Sequence, residues 1–279
     1  MFWRLHKAIF AEQMDKALDV IKQLGDTCQV VSGTPSQLAE VPFYSIAQPT
    51  LAITTLQDAQ RLIRKDYPST PWLFFNNNNY KVSFWLPRID NNIPTLNREA
   101  LFLPVGLLRN LTSNQVDRIV AKGEKLFIKP DTGNKIFTGF SITNDDNFLE
   151  SVKNHLMFAH IEPEEMCVLS PHKDIEDIEW RFWIAEGKII GYTPYAWETE
   201  PEFQTAPENI LKVAEAMAKN SWQPDYIYVA DFCTTKIGEV MLIEINAAST
   251  SGIYNAQLDK LLPAMRATCI KEFEGTIED

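Results

Sequence analysis

Apolar positions recur along the chain with two different periods. Within Glu12 to Leu24, Ala17, Leu18, Ile21 and Leu24 fall at helical spacing, and Gly25 follows as a stop. Cys28 to Val31 is a short apolar run of strand length, and Leu56 to Ile63 predicts a second amphipathic helix closing near Tyr67-Pro68. Trp72 to Phe75 predicts a buried strand, because the four asparagines 76–79 that follow can only turn the chain. This alternation predicts a small α/β unit over residues 1–98, with Pro87 to Arg98 as its connector. After about Gly123 strands outnumber helices. Leu126 to Lys129, Met166 to Leu169, Ile178 to Ile184, Lys188 to Tyr192, Tyr226 to Cys233 and Glu239 to Ile245 read as strands. Asn147 to Phe158, Asn209 to Lys219 and Leu258 to Phe273 read as helices, the last interrupted by Pro263. Residues 99–279 therefore form an α+β domain with antiparallel hairpins.

Three segments carry candidate chemistry. In the hairpin formed by the last two strands, side chains two apart share a face, so Glu244 and Asn246 point one way and Ile243 and Ile245 the other. A four-residue loop places Asp231 opposite Leu242, and a two-residue turn at Ile237-Gly238 places it opposite Glu244. Both registers keep Asp231 on the Glu244 face. Two carboxylates and an amide oxygen are hard ligands of the kind magnesium takes alongside phosphate oxygens; water-facing strand carboxylates would show the same letters. The second segment, Lys129-Pro-Asp-Thr-Gly133-Asn-Lys135 running on to Gly139, places a lysine at a strand end before a glycine-containing loop with a second lysine. Such a loop can cradle phosphate, although the Walker A order is absent. In the third, Ile178, Trp180, Phe182 and Ile184 form an apolar face that leaves Glu179 and Arg181 together on the other. Arg181 suits a phosphate or carboxylate clamp; the plain alternative is an ion pair with Glu179.

Composition narrows the classes. In 279 residues, 45% hydrophobic and 11% aromatic with seven Trp, there is enough apolar matter for a folded core, which excludes a disordered chain. The net charge of −11 argues against a broad basic nucleic-acid footprint, and no basic stripe accompanies the tryptophans to support duplex binding. Residues 101–279 carry sixteen Lys and Arg against twenty-eight Asp and Glu. A domain that acidic takes an anionic ligand only by concentrating its cations or recruiting a metal. Four scattered cysteines without a Cys-x-x-Cys pair suggest neither a disulfide framework nor a zinc knuckle. The first ten residues alternate too quickly for a signal peptide and no stretch approaches a membrane span, so a cytoplasmic protein is expected.

Taken in order, Lys129-Pro, the Gly133–Gly139 loop, the strand at Cys167–Ser170, Arg181 after a Glu, Asp231 and Glu244-x-Asn246 resemble an ATP-grasp domain over about residues 123–255. The text from Leu86-Pro to Asn97, with Lys129 to Gly139, is similar to a poorly characterised branch common in bacteriophage genomes, which implies the host cytoplasm. The resemblance implies an ATP-grasp fold, two α+β subdomains gripping a nucleotide, with residues 1–98 as a pre-ATP-grasp unit. It implies that Lys129, Thr132, Gly133 and Lys135 contact ATP phosphates, that Val168 and Ser170 meet the adenine, and that Ile243 lies under its ring. Asp231, Glu244 and Asn246 would hold Mg2+, and Arg181 with Lys129 and Lys135 would act in catalysis. The implied activity is ADP-forming ligation of a small-molecule or peptide carboxylate to an amine through an acyl phosphate. Two other functions share these motifs: an ATP-binding assembly chaperone without ligation, and amino-acid transfer onto a modified nucleic-acid base. The loop departs from common members in having a single internal glycine, and Asp174, Glu176 and Asp177 compete for the ribose contact. The acceptor pocket is expected near Ser249 to Gly252, with Arg88 or Arg98 as contributors from the N-terminal unit.

Overall fold

The computed structural model describes residues 1–38, 48–64, 73–133, 136–157, 160–196 and 201–275. Their strands form three sheets. In the first, β1 (Phe2–His6) runs parallel between β2 (Thr27–Val31) and β3 (Thr50–Ile53). The second is antiparallel, in the order β4 (Leu101–Pro104), β7 (Met166–Pro171), β5 (Lys125–Pro130), β6 (Phe140–Thr143). The third, also antiparallel, has the order β11 (Val240–Ala247), β10 (Ile227–Thr235), β8 (Ile175–Ala185), β9 (Lys188–Ala196). Glu186 and Gly187, both at positive φ, make the tight turn between β8 and β9.

Alternation along β8 and β10 covers the third sheet on both faces. Trp183 and Val229 pack with Trp3, Leu5 and the helices Met14–Gln23 and Leu258–Phe273, joining this sheet to the parallel one. Phe182, Phe232, Leu242 and Ile245 pack the other way, against the helix Glu208–Ala218 and residues 80–93. Each such large side chain removed from water contributes about 1.5–3 kcal/mol before chain entropy is counted. The β4–β7 sheet has a core of its own, built with the helix Phe148–His155. The connector ending at Arg98 lies along β11: the Leu242 N–H donates to Pro94 O at 2.8 Å, and the Leu96 N–H to Leu242 O at 3.0 Å, which covers an open sheet edge.

Several elements differ from the pattern in the sequence. β1 is buried at all five positions, Arg4 and His6 included, so neither alternation nor an apolar run marks it. β3, β4 and β6 have four residues each, too short for a periodic signal. Trp72 and Phe158 lie outside the described residues, and Leu73 to Phe75 form no strand. Phe74 is buried as a loop residue whose N–H donates to Ser249 Oγ at 2.9 Å.

Candidate functional site

Hairpin geometry sets the site. Thr234 pairs with Val240, not with Glu239, and Gly238 at φ +87 closes the turn. Continued without a break, that register would oppose Asp231 to Ile243. A bulge between Asp231 and Phe232 adds one residue on β11 and brings Glu244 opposite Asp231. The Ile243 carbonyl at this irregularity accepts from Asn97 Nδ2 at 3.1 Å. Asn246 Nδ2 then donates to Asp231 Oδ2 at 3.1 Å and to Glu244 Oε1 at 2.9 Å, joining the three side chains.

Arg181 stands opposite Asp231 on β8 and is paired with it, not with Glu179. Nε and Nη2 donate to the two carboxylate oxygens at 2.9 and 2.8 Å, and Nη1 to Gly252 O at 3.2 Å. The guanidinium carbon also lies 5.0 Å from the Tyr195 ring and 5.1 Å from that of Tyr254. Burial alone would lower the Arg181 pKa; the charge of Asp231 and its hydrogen bonds outweigh burial and raise it. Glu179 accepts from the Tyr195 hydroxyl instead. Burial pushes its carboxyl upward, the Tyr195 bond pulls it down, and the charges of Asp231 and Glu244 push it up again.

Lys129 approaches from the other antiparallel sheet. Its Nζ lies 3.4 Å from Glu244 Oε2, across a cleft of about 270 Å³. Lys129, Thr132 and Gly133 line this cleft with Glu244 and Asn246, and Val82, Trp85, Phe127, Phe137 and Ile245 make it largely apolar. Ile245, not Ile243, lines the described cleft, and Val168 and Ser170 are buried in β7 without lining it. Lys135 lies outside the described residues. Asp174 and Glu176 are paired on the surface with His172 and Lys236. Arg88 and Arg98 bond to the carbonyls of Phe84 and Ile93.

Asp131 stands out only in three dimensions. Its carboxylate accepts from Ser83 N at 2.7 Å and Ser83 Oγ at 2.6 Å, while its carbonyl accepts from Val82 N at 2.9 Å. The end of β5 is thereby pinned to the opposite wall of the cleft, beside Lys129. Its position two residues beyond Lys129 was the available hint; its partner, 48 residues away, had no sequence signal.

A second cavity, of about 160 Å³, lies on the other side of the carboxylates, lined by Gly133, Arg181, Glu244, Asn246 and Thr250 to Gly252. The donor set between the two cavities fits a hard divalent cation. Among the described residues no group of three or more His, Cys, Asp and Glu could hold a metal, so Asn246 must complete the set of Asp231 and Glu244. Asp231 Oδ2 already accepts two bonds and Oδ1 one, leaving the buried carboxylate a single lone pair to offer. Glu244, 36% exposed, is the accessible member. Three oxygens leave room in the shell for phosphate and water, as magnesium prefers.

The same frame recurs in solved structures. D-cycloserine synthetase DcsG superposes with a TM-score of 0.64 at 12% identity, covering 96% of this chain and 100% of its own. The D-alanine–D-alanine ligase of Bacillus anthracis complexed with ATP gives 0.58 at 13% identity, covering 99% of each chain. The ATP-grasp ligase PsnB complexed with precursor peptide PsnA2 and AMPPNP gives 0.55 at 12% identity, covering 96% of this chain and 97% of its own. At such identity the likeness is one of fold. No curated protein matches the chain in sequence. Residues 107–263 match the model of an ATP-grasp domain, the second family of its clade. That span takes in more than half of the chain, with Lys129, Arg181, Asp231, Glu244 and Asn246 inside it, and the chain belongs to this ATP-grasp family.

Proposed function

We propose that the protein is an ATP-dependent carboxylate–amine ligase that works through an acyl phosphate. The observation that carries the reading is the meeting of Lys129 from one sheet with Glu244 from another at 3.4 Å, on the wall of an apolar cleft. That wall also contains Asn246, and the acceptor-sized cavity holding Arg181 begins on its other side. Fold neighbours described as ligases, one with ATP and one with a precursor peptide, support the same reading.

In this reading the base of ATP occupies the apolar part of the cleft, and its phosphates extend toward Lys129 and the loop at Thr132 and Gly133. A bound Mg2+ supplies charge neutralisation at the β- and γ-phosphates. A carboxylate oxygen attacks the γ-phosphorus; the bond to the bridging oxygen breaks and ADP leaves with that electron pair. The amine lone pair then attacks the acyl carbon, phosphate departs, and the amine nitrogen loses a proton. Arg181, fixed on its strand, faces the charge that develops on the transferring group.

The test is ADP release measured with panels of carboxylates and amines. ADP is expected only when both partners are present, and Glu244→Ala should reduce it by at least about 10²-fold while unfolding stays cooperative. Undiminished turnover in that variant would reject the assignment of Glu244 to the metal.

A further inference from the structure

Two cavities meet at one aromatic ring. Beyond the 160 Å³ cavity lies a larger one of about 500 Å³, between residues 8–13 after β1 and the 252–255 segment. Gly252 and Tyr254 are the residues that line both. The walls of the outer cavity are bonded to each other: Ile253 N–H donates to Ile9 O and Gln13 Nε2 to Asn255 Oδ1, each at 3.1 Å. The space is therefore built into the fold.

Tyr254 is held in place from several directions. Its ring stacks on Tyr195 with centroids 5.0 Å apart and planes at 2°, and it lies over Arg181. It also lies against Gly252, where an added Cβ would come within 3.2 Å of the ring. Its backbone sits at φ +47, a region that a bulky residue keeps only when its surroundings hold it there. Across the outer cavity Ala11 has φ +44. Such outliers concentrate at ligand clamps.

The lining also selects a chemistry. Among the described residues that form it, Glu12 is the one charged side chain, accompanied by the side-chain amides of Gln13 and Asn255. This lining offers no cation to a carboxylate, whereas amides and ammonium groups find acceptors. Resting on the ligase reading, we propose that the outer cavity holds the body of the amine substrate, a neutral or cationic peptide-like amine. Tyr254 is the specificity-determining partition that limits the bulk carried next to the reacting nitrogen.

Glycinamide, phenylalaninamide and glycine probe the idea directly. Each is titrated calorimetrically into the protein saturated with Mg-ADP, so the readout does not depend on ligation. The parent protein should favour glycinamide over phenylalaninamide, and over glycine with its carboxylate. Tyr254→Asn removes the ring with a residue that tolerates positive φ, and it should reduce the glycinamide preference by about tenfold. Tyr254→Phe retains the ring and should keep the preference. Thermal unfolding confirms that both variants fold, and the ratio between probes cancels any loss they suffer in common. A preference unchanged by Tyr254→Asn, or no binding of either amide, would overturn the inference. ADP release with the carboxylate panel judges the ligase reading separately.

Discussion

Arg181 and Asp231 show why the site cannot be probed by truncation alone. The pair is almost fully buried, with side-chain exposures of 9% and 0%. Removing either partner leaves the other charge buried, at a cost of about 3–5 kcal/mol. Arg181→Ala should therefore lower the unfolding midpoint markedly. Arg181→Lys keeps the charge but loses the fork that bridges Asp231 and Gly252. It should reduce turnover by about 10²-fold with ATP affinity altered far less, as steady-state kinetics and calorimetry would show. Equal losses in both would make Arg181 a ground-state binder. The sequence placed Glu179 and Arg181 on one face, and they do share it. It could not tell which carboxylate Arg181 meets, because Asp231 comes from a strand 50 residues away and Tyr195 has already engaged Glu179.

At the scale of elements, the long strands of the C-terminal half were legible because alternation survives where a sheet is covered by chemically distinct layers. The buried β1 and the four-residue strands were not, since burial at every position erases the period. The hairpin is a mixed case. Asp231 and Glu244 do share a face, but they reach it through an odd register corrected by a bulge that no letter in the sequence announces. Asn97, 2% exposed, donates to the carbonyl at that bulge. Asn97→Ala should cost about 1–2 kcal/mol through the lost bond, read as a lower unfolding midpoint. It should also weaken Mg-ATP binding measured by calorimetry, because the bulge sets where Glu244 stands. Full stability with unaltered binding would show that the strand holds its irregularity unaided.

On the scale of the whole molecule, the expectation that residues 1–98 pack as a unit meets a more divided picture. The parallel sheet shares its core with the last helix, whereas residues 80–93 belong to the core of the third sheet. Two acids deep in this frame give it a pH response. Burial raises Asp225 to about 7, and Glu272 of the last helix, lifted first by burial and then by the Asp225 charge, also to about 7. A folded-state pKa above the unfolded value means that the native protein binds the proton more tightly. The resulting stability is complete below about pH 4 and is lost as pH rises toward 7. The unfolding midpoint should fall between about pH 5 and 8, and Asp225→Asn with Glu272→Gln should flatten that slope. Among the described residues no helix is long and apolar enough to cross a membrane. Gly133, finally, lines the cleft on one side of the carboxylates and the smaller cavity on the other. One stretch of backbone is thus a wall common to two chambers: whatever settles it over a triphosphate also redraws the doorway for the second reactant, so order of arrival becomes a matter of geometry.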